Sequence, residues 1–92
     1  MKFDWDQAKD EQTFKERGLR FQQATALWDD PQAIELATDT AHETRILKIG
    51  MLPDSKLYTA VFTPRDDLIR IISFRRSRDK EVSVYENAKD IS

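Results

Sequence analysis

The sequence predicts one α+β domain built on an antiparallel sheet. Apolar residues recur at helical spacing in the first third, while three alternating apolar stretches separated by turn-forming residues fill the span from Thr44 to Arg76. A chain of 92 residues, 39% hydrophobic and 35% charged, has material for one core and no more, so residues 1–92 are expected to form a single domain.

The elements follow in order. "FDWD" is a short aromatic strand candidate. Asp6 to Arg17 contains no Pro, Gly or β-branched run and is followed by Gly18, which suits a helix with a glycine stop; its apolar face is thin, resting on Ala8 and Phe14. From Leu19 to Asp30, Phe21, Ala24 and Trp28 recur at i, i+3 and i+7 beside Leu27, and Pro31 forbids continuation. Residues 31–42 read as a connector with weak strand character in "AIEL". In "TRILKIGML" the residues Arg45, Leu47, Ile49 and Met51 share one face. "PDS" supplies a turn into "KLYTAVFT", and "PRDD" a turn into "LIRIISFRR". Strict alternation in this last strand places Ile69, Ile71, Ser73 and Arg75 on one face and Arg70, Ile72, Phe74 and Arg76 on the other. Ser77 is expected to cap a final helix, with Asp79 and Glu81 in its first turn and Val82, Tyr85 and Ala88 along one side; only "NAKDIS" looks loosely held. The predicted order is strand, two helices, a three-stranded antiparallel meander and a helix.

Composition narrows the function classes. The chain has no cysteine, which excludes disulfides and thiolate metal sites, and no apolar run approaches the ~20 residues a spanning helix needs. With "KFDWD" after Met1 in place of an apolar targeting region, the expectation is a cytoplasmic protein without membrane contact. The net charge of −2 is unevenly spread: residues 1–44 hold five basic against ten acidic groups, and residues 45–92 ten against seven. An anionic partner is therefore drawn to the second half, above all to "RIISFRRSRDK" at residues 70–80, with five basic side chains and one acidic.

At this point the residues carry a resemblance. "FDWDQAKDEQTFKERGLRFQQATALWDDP", "HETRILKIG" and "LIRIISFRRSRDKEVSVY" resemble, in order and over about nine tenths of the chain, the BrnT family of type II toxins, small ribonucleases with a RelE-like fold. The most telling features are "WD" with "AK" shortly after, Gly18 followed by Phe21, the Glu43-x-Arg45 pair, and "RIISFRR" with a Tyr beyond it. The resemblance implies an endoribonuclease that inhibits translation and growth without a cofactor. It also implies a hetero-oligomer with a cognate BrnA-like antitoxin, whose DNA-binding domain would bring the pair to operator DNA. The family commonly has "KHG" where this chain has "ERG", so Glu16 and Arg17 stand at that position.

Cofactor-free RNA cleavage uses the neighbouring 2′-hydroxyl as nucleophile, so the protein must orient the backbone, stabilise charge on phosphoryl oxygens and move two protons. Guanidinium meets phosphate bidentately and stays charged. Arg75 with Arg45 are the favoured pair and Arg70 a third member, with Arg76, Arg78, Lys80 and Arg17 as RNA contacts. Asp66, Asp67, Asp79 and Glu81 offer the same arginines structural partners, and the sequence leaves both roles open. Arg17 cannot act as a base, since guanidinium does not deprotonate near neutral pH. His42, the lone histidine, has a suitable ordinary pKa near ~6.5 but also reads as a solvated connector residue. Glu43 is a candidate base or a partner for Arg45; Tyr85 is a candidate phosphate donor or a packed helix residue. Trp5, Phe21, Trp28 and Phe62 are core residues before they are base-stacking ones. Two other functions fit the sequence: an inactive diverged relative that only binds an antitoxin in a repressor complex, and a plain RNA-binding domain.

Overall fold

Asp6 opens the first helix, α1 (Gln7–Arg17), by accepting hydrogen bonds from the Ala8 and Lys9 amides, and Gly18 closes it at φ 70°, a conformation that side chains disfavour. The computed structural model in which this helix is seen describes residues 1–39 and 42–91. The thin apolar face expected on α1 is not what holds it. Ala8 is exposed and Phe14 is 46% exposed, its ring under the Arg20 guanidinium at 4.0 Å. The buried residues are Asp10 and Thr13. The Asp10 carboxylate accepts from the Phe21 amide at 2.7 Å and from Arg20 at 3.1 Å, so hydrogen bonds to a carboxylate tie α1 to the next element.

That element begins as α2 (Phe21–Ala24) and tightens into a 3₁₀ turn (Thr25–Asp29), a shift that keeps Phe21, Ala24 and Leu27 buried while ending the helix before Pro31. Gly50 lies beneath it. A β-carbon there would stand 3.1 Å from the Leu27 side chain, so the turn seats on the sheet because position 50 has none.

Among the described residues the sheet has five strands in the order β1-β5-β4-β3-β2: β1 (Lys2–Trp5), β2 (Ile34–Asp39), β3 (Thr44–Met51), β4 (Leu57–Arg65) and β5 (Leu68–Arg76). The three-stranded meander is thus corrected to four antiparallel strands, β2 to β5, with β1 parallel to β5 at the far edge. The stretch read as a connector contributes β2, paired with β3 from Ile34↔Ile49 to Asp39↔Thr44. The turn read at "PRDD" narrows to Asp66 and Asp67, because Thr63, Pro64 and Arg65 belong to β4. Pro64 is tolerated there because the β3 ladder has already ended at Phe62.

One irregularity rearranges β5. Val61 pairs with Ser73 but Phe62 pairs with Ile71, so Ile72 is an extra residue bulged out of the ladder. Alternation therefore changes phase there. Ile69, Ile71, Phe74 and Arg76 share the face under α2, whereas Arg70, Ser73 and Arg75 share the opposite one, correcting the strict alternation read from the sequence.

The larger core lies on the α2 face and gathers Phe21, Ala24, Leu27, Tyr58, Ala60, Ile71 and Phe74. Trp28 is wedged edge-on between Phe3 and Phe62, each with its ring centroid 5.0 Å away, so the aromatics weighed as base-stacking residues are packed into this core. The opposite face is covered by α3 (Asp79–Ile91), where Val82 and Tyr85 meet Ile49 and Leu57. Ala88 is exposed, so the stripe on α3 is shorter than expected, yet the helix runs through most of "NAKDIS". The N-terminus of α3 is capped from within. Glu81 reaches back to accept from the Arg78 amide at 2.8 Å, while the Ser77 hydroxyl, expected to be the cap, bonds Thr59 instead. No helix among the described residues is long and apolar enough to cross a membrane.

Candidate nucleic-acid interface

The basic run at the end of β5 divides between two faces. Arg75 lies opposite Thr59 and turns toward α3, where Nη1 and Nη2 donate to Glu81 Oε1 and Oε2 at 2.7 and 2.8 Å. Both side chains are largely buried, 15% and 11% exposed. Glu81 also accepts from the Thr59 hydroxyl, and with Arg75 as the dominant influence its carboxyl is held down to about 2. Arg75 in turn is held above its ordinary range by the same pair.

Arg76 faces the other way. It lies opposite Tyr58 with its guanidinium 5.4 Å from the ring centroid, and it is exposed. Arg17, on the last turn of α1, reaches across to donate to the Phe74 carbonyl at 3.2 Å. Arg17, Leu19, Tyr58, Arg75 and Arg76 line one cleft of about 400 Å³. Neither Arg17 nor Arg76 has a carboxylate within ion-pair distance among the described residues, so the lining of this cleft carries net positive charge at one end of the sheet, with Asp54 of the neighbouring cleft acting on Arg76 only at longer range.

The remaining candidates lie elsewhere. Arg70 pairs with Asp4 across the β1–β5 ladder, its Nη1 at 2.9 and 2.8 Å from the two carboxylate oxygens. Arg45 stands 3.4 Å from Glu43 through Nε without hydrogen-bond geometry, and Glu43 also holds Arg65 at 3.5 Å. Arg75 aligns through Thr59 with Ile49 on β3, and Arg45 lies four residues before Ile49. The two are thus separated by roughly 13 Å along the strands and by two inter-strand spacings of about 4.8 Å, so the structure does not assemble the favoured Arg75 and Arg45 pair. His42, exposed and adjacent to Glu43, belongs to that same far end. Tyr85 is buried against Ile49 and Leu57, with its hydroxyl donating to Asp30 at 2.9 Å; burial and then the Asp30 bond push it up to about 12. Arg78 and Lys80 are exposed at the entry to α3 and do not line the cleft.

Tyr58 was not legible as a site residue. It is the shared wall of the arginine cleft and of a second, more apolar one, and its hydroxyl donates to Asp54 at 2.7 Å. The only sequence signal for it is the period of "KLYTAVFT", which puts Tyr58 on a face but cannot place Arg76 opposite it. Among the described residues no group of three or more His, Cys, Asp or Glu side chains lies close enough to hold a metal ion.

Comparison with known proteins agrees with this architecture. The crystal structure of the Brucella abortus ribonuclease toxin BrnT, determined at 1.1 Å, superposes with a TM-score of 0.63 at 21% identity, over 86% of this chain and 99% of that one. No match is found among curated proteins. Residues 5–81 match the family model described as the ribonuclease toxin BrnT of type II toxin-antitoxin systems, and with that span covering most of the chain, the chain belongs to the BrnT family.

Proposed function

We propose that this chain is the toxin of a type II pair and cleaves RNA in the cleft between α1 and the end of β5. One observation carries the proposal: Arg17 and Arg76 bring guanidinium groups without acidic partners among the described residues to one concavity, beside Arg75. These groups would take the non-bridging oxygens of a phosphodiester and stabilise the charge that builds as the 2′-hydroxyl attacks phosphorus. The P–O5′ bond breaks, leaving a 2′,3′-cyclic phosphate and a 5′-hydroxyl. The 2′-hydroxyl proton goes to a base and another proton is delivered to the departing oxygen. Apart from the guanidiniums, the cleft's lining holds one titratable group, the Tyr58 hydroxyl, which is committed to Asp54. The reading therefore assigns charge stabilisation to the arginines and leaves the base to a group outside the lining. Arg75 acts here as a positioning residue, because its guanidinium is already engaged by Glu81.

In this reading cleavage needs no metal, halts translation in the cytoplasm, and is blocked by a BrnA-like antitoxin that brings the pair to operator DNA; the RelE-like kinship implied by the resemblance belongs to the same reading. The test is to incubate the partner-free chain with a defined RNA in excess EDTA, beside Arg76→Ala and Arg17→Ala variants. Cleavage by the parent chain alone, with 2′,3′-cyclic ends, is the expected result. Loss of all cleavage in EDTA with recovery on adding a divalent cation would overturn metal independence.

The presence of Arg17 where the resemblance puts a histidine favours a second reading, an inactive relative that binds an antitoxin within a repressor complex. Folded protein that leaves every RNA intact yet forms a tight complex with the product of a neighbouring gene would decide for it. A plain RNA-binding domain would instead retain intact RNA, with affinity falling steeply as salt rises.

A further inference from the structure

The second cleft is walled by Tyr58 on the side shared with the arginines. It has a volume of about 380 Å³ and is lined by Gln23, Ala26, Leu52, Pro53, Asp54 and Tyr58. Ala26, Leu52 and Pro53 give it an apolar surface suited to a flat ring, and the two polar side chains define what that ring must offer. Asp54 accepts from the Lys56 amide at 3.0 Å and from Tyr58 at 2.7 Å, which uses about half of a carboxylate's four lone-pair positions. Gln23 is oriented by its own helix start: Oε1 accepts from the Arg20 amide at 2.7 Å, so its Nε2 hydrogens are left as donors.

We infer that this cleft is a base subsite selective for guanine in the RNA whose phosphate rests on Arg17 and Arg76. The inference rests on the function proposed above. Guanine alone among the four bases presents two adjacent N–H donors, N1 and N2, to a single carboxylate, with O6 beside them to accept from an amide. Adenine and cytosine would set a ring-nitrogen acceptor against Asp54, and uracil would flank its single donor with carbonyls. Each of those leaves a repelled or unpaired polar group in the cleft. Arg76 also bears electrostatically on Asp54, which places the acceptor for the base next to the cation for the phosphate.

The experiment is calorimetric titration of the partner-free chain with 3′-GMP, 3′-AMP, 3′-CMP, 3′-UMP and inorganic phosphate, repeated on Asp54→Asn and Arg76→Ala. In Asp54→Asn the remaining Oδ1 still accepts from the Lys56 amide while Nδ2 donates to the Tyr58 hydroxyl, so the turn is preserved. Expected are tightest binding of 3′-GMP by at least about tenfold, reduction of that preference to about twofold in Asp54→Asn with phosphate affinity retained, and weakened binding of every ligand in Arg76→Ala. Equal affinity for the four nucleotides in the parent chain would overturn the guanine subsite while leaving the arginine cleft intact. Binding that ignores Arg76→Ala, or no binding at all, would overturn both.

Discussion

The two ends of the sheet carry the same kind of side chain in opposite electrostatic states. At the end formed by the start of β3 and the β4–β5 hairpin, Arg45 and Arg65 share Glu43, and Arg70, on the β1 side, is clamped by Asp4. At the end where β5 meets α1, only Arg75 is matched, by Glu81, and Arg17 and Arg76 face a cleft without a carboxylate partner among the described residues. A count of basic residues treats these ends alike. What separates them is how much guanidinium charge the fold leaves unspent on itself, and that is the quantity a phosphate responds to.

The largest expected effect tests this contrast directly. Arg76→Ala should lower RNA cleavage by about 10²–10³, the scale set by removing one preorganised donor, while the melting temperature moves little because only an exposed cation–π contact with Tyr58 is lost. An equal loss in Arg45→Ala would erase the distinction between the ends.

Next in size is the pair that is matched. Glu81→Ala should destabilise the chain by on the order of 3 kcal/mol in urea unfolding, since it leaves Arg75 largely buried without its partner and removes the cap on the Arg78 amide. The same pair predicts a pH signature. The Glu81 carboxyl is depressed from 4.5 to about 2, so its stabilisation is complete above pH 4.5 and is lost as pH falls toward 2. The parent chain and Glu81→Gln should converge in stability across that window; a constant gap would show that Glu81 does not titrate there.

Two smaller effects sharpen the comparison. Tyr85→Phe should cost about 1 kcal/mol through the lost hydrogen bond to Asp30. Because the Tyr85 hydroxyl is raised to about 12, its contribution holds below pH 10 and fades as pH rises toward 12, so the difference between the two proteins should shrink between pH 10 and 12. Arg45→Ala should change stability by less than about 0.5 kcal/mol and cleavage by less than about threefold, because its ion pair is only half-buried and poorly aligned.

The legible parts of the fold are those governed by local chemistry. Asp6, Gly18 and Pro31 mark limits through their own local chemistry, and the structure places the limits of α1 and the end of the 3₁₀ turn accordingly, although α2 itself already stops at Ala24. Strand β2 shows in the sequence only as weak strand character in "AIEL" because it depends on pairing with β3; of Ile34 to Thr38 only Ile34 is half-buried, and Leu36 is exposed. The bulge at Ile72 was missed because "RIISFRR" alternates acceptably with or without it, and only the partner strand reveals the phase change. The same limit applies to the candidate site. The arginine cluster and the candidacy of Glu81 as a partner are visible in a short stretch of chain, whereas the contribution of Tyr58 depends on a cross-strand register 18 residues away.

The bulge gives β5 something like a reading frame. Because Ile72 is the extra residue, the side to which every later side chain turns depends on its staying outside the ladder. Closing the bulge at constant length would shift the later register by one and exchange the sides of Arg75 and Arg76, whereas removal of Ile72 itself would leave both opposite their present partners, Thr59 and Tyr58. A relative lacking that one residue can therefore keep the same charge pattern on a regular strand, whereas one that keeps the length must also keep the bulge.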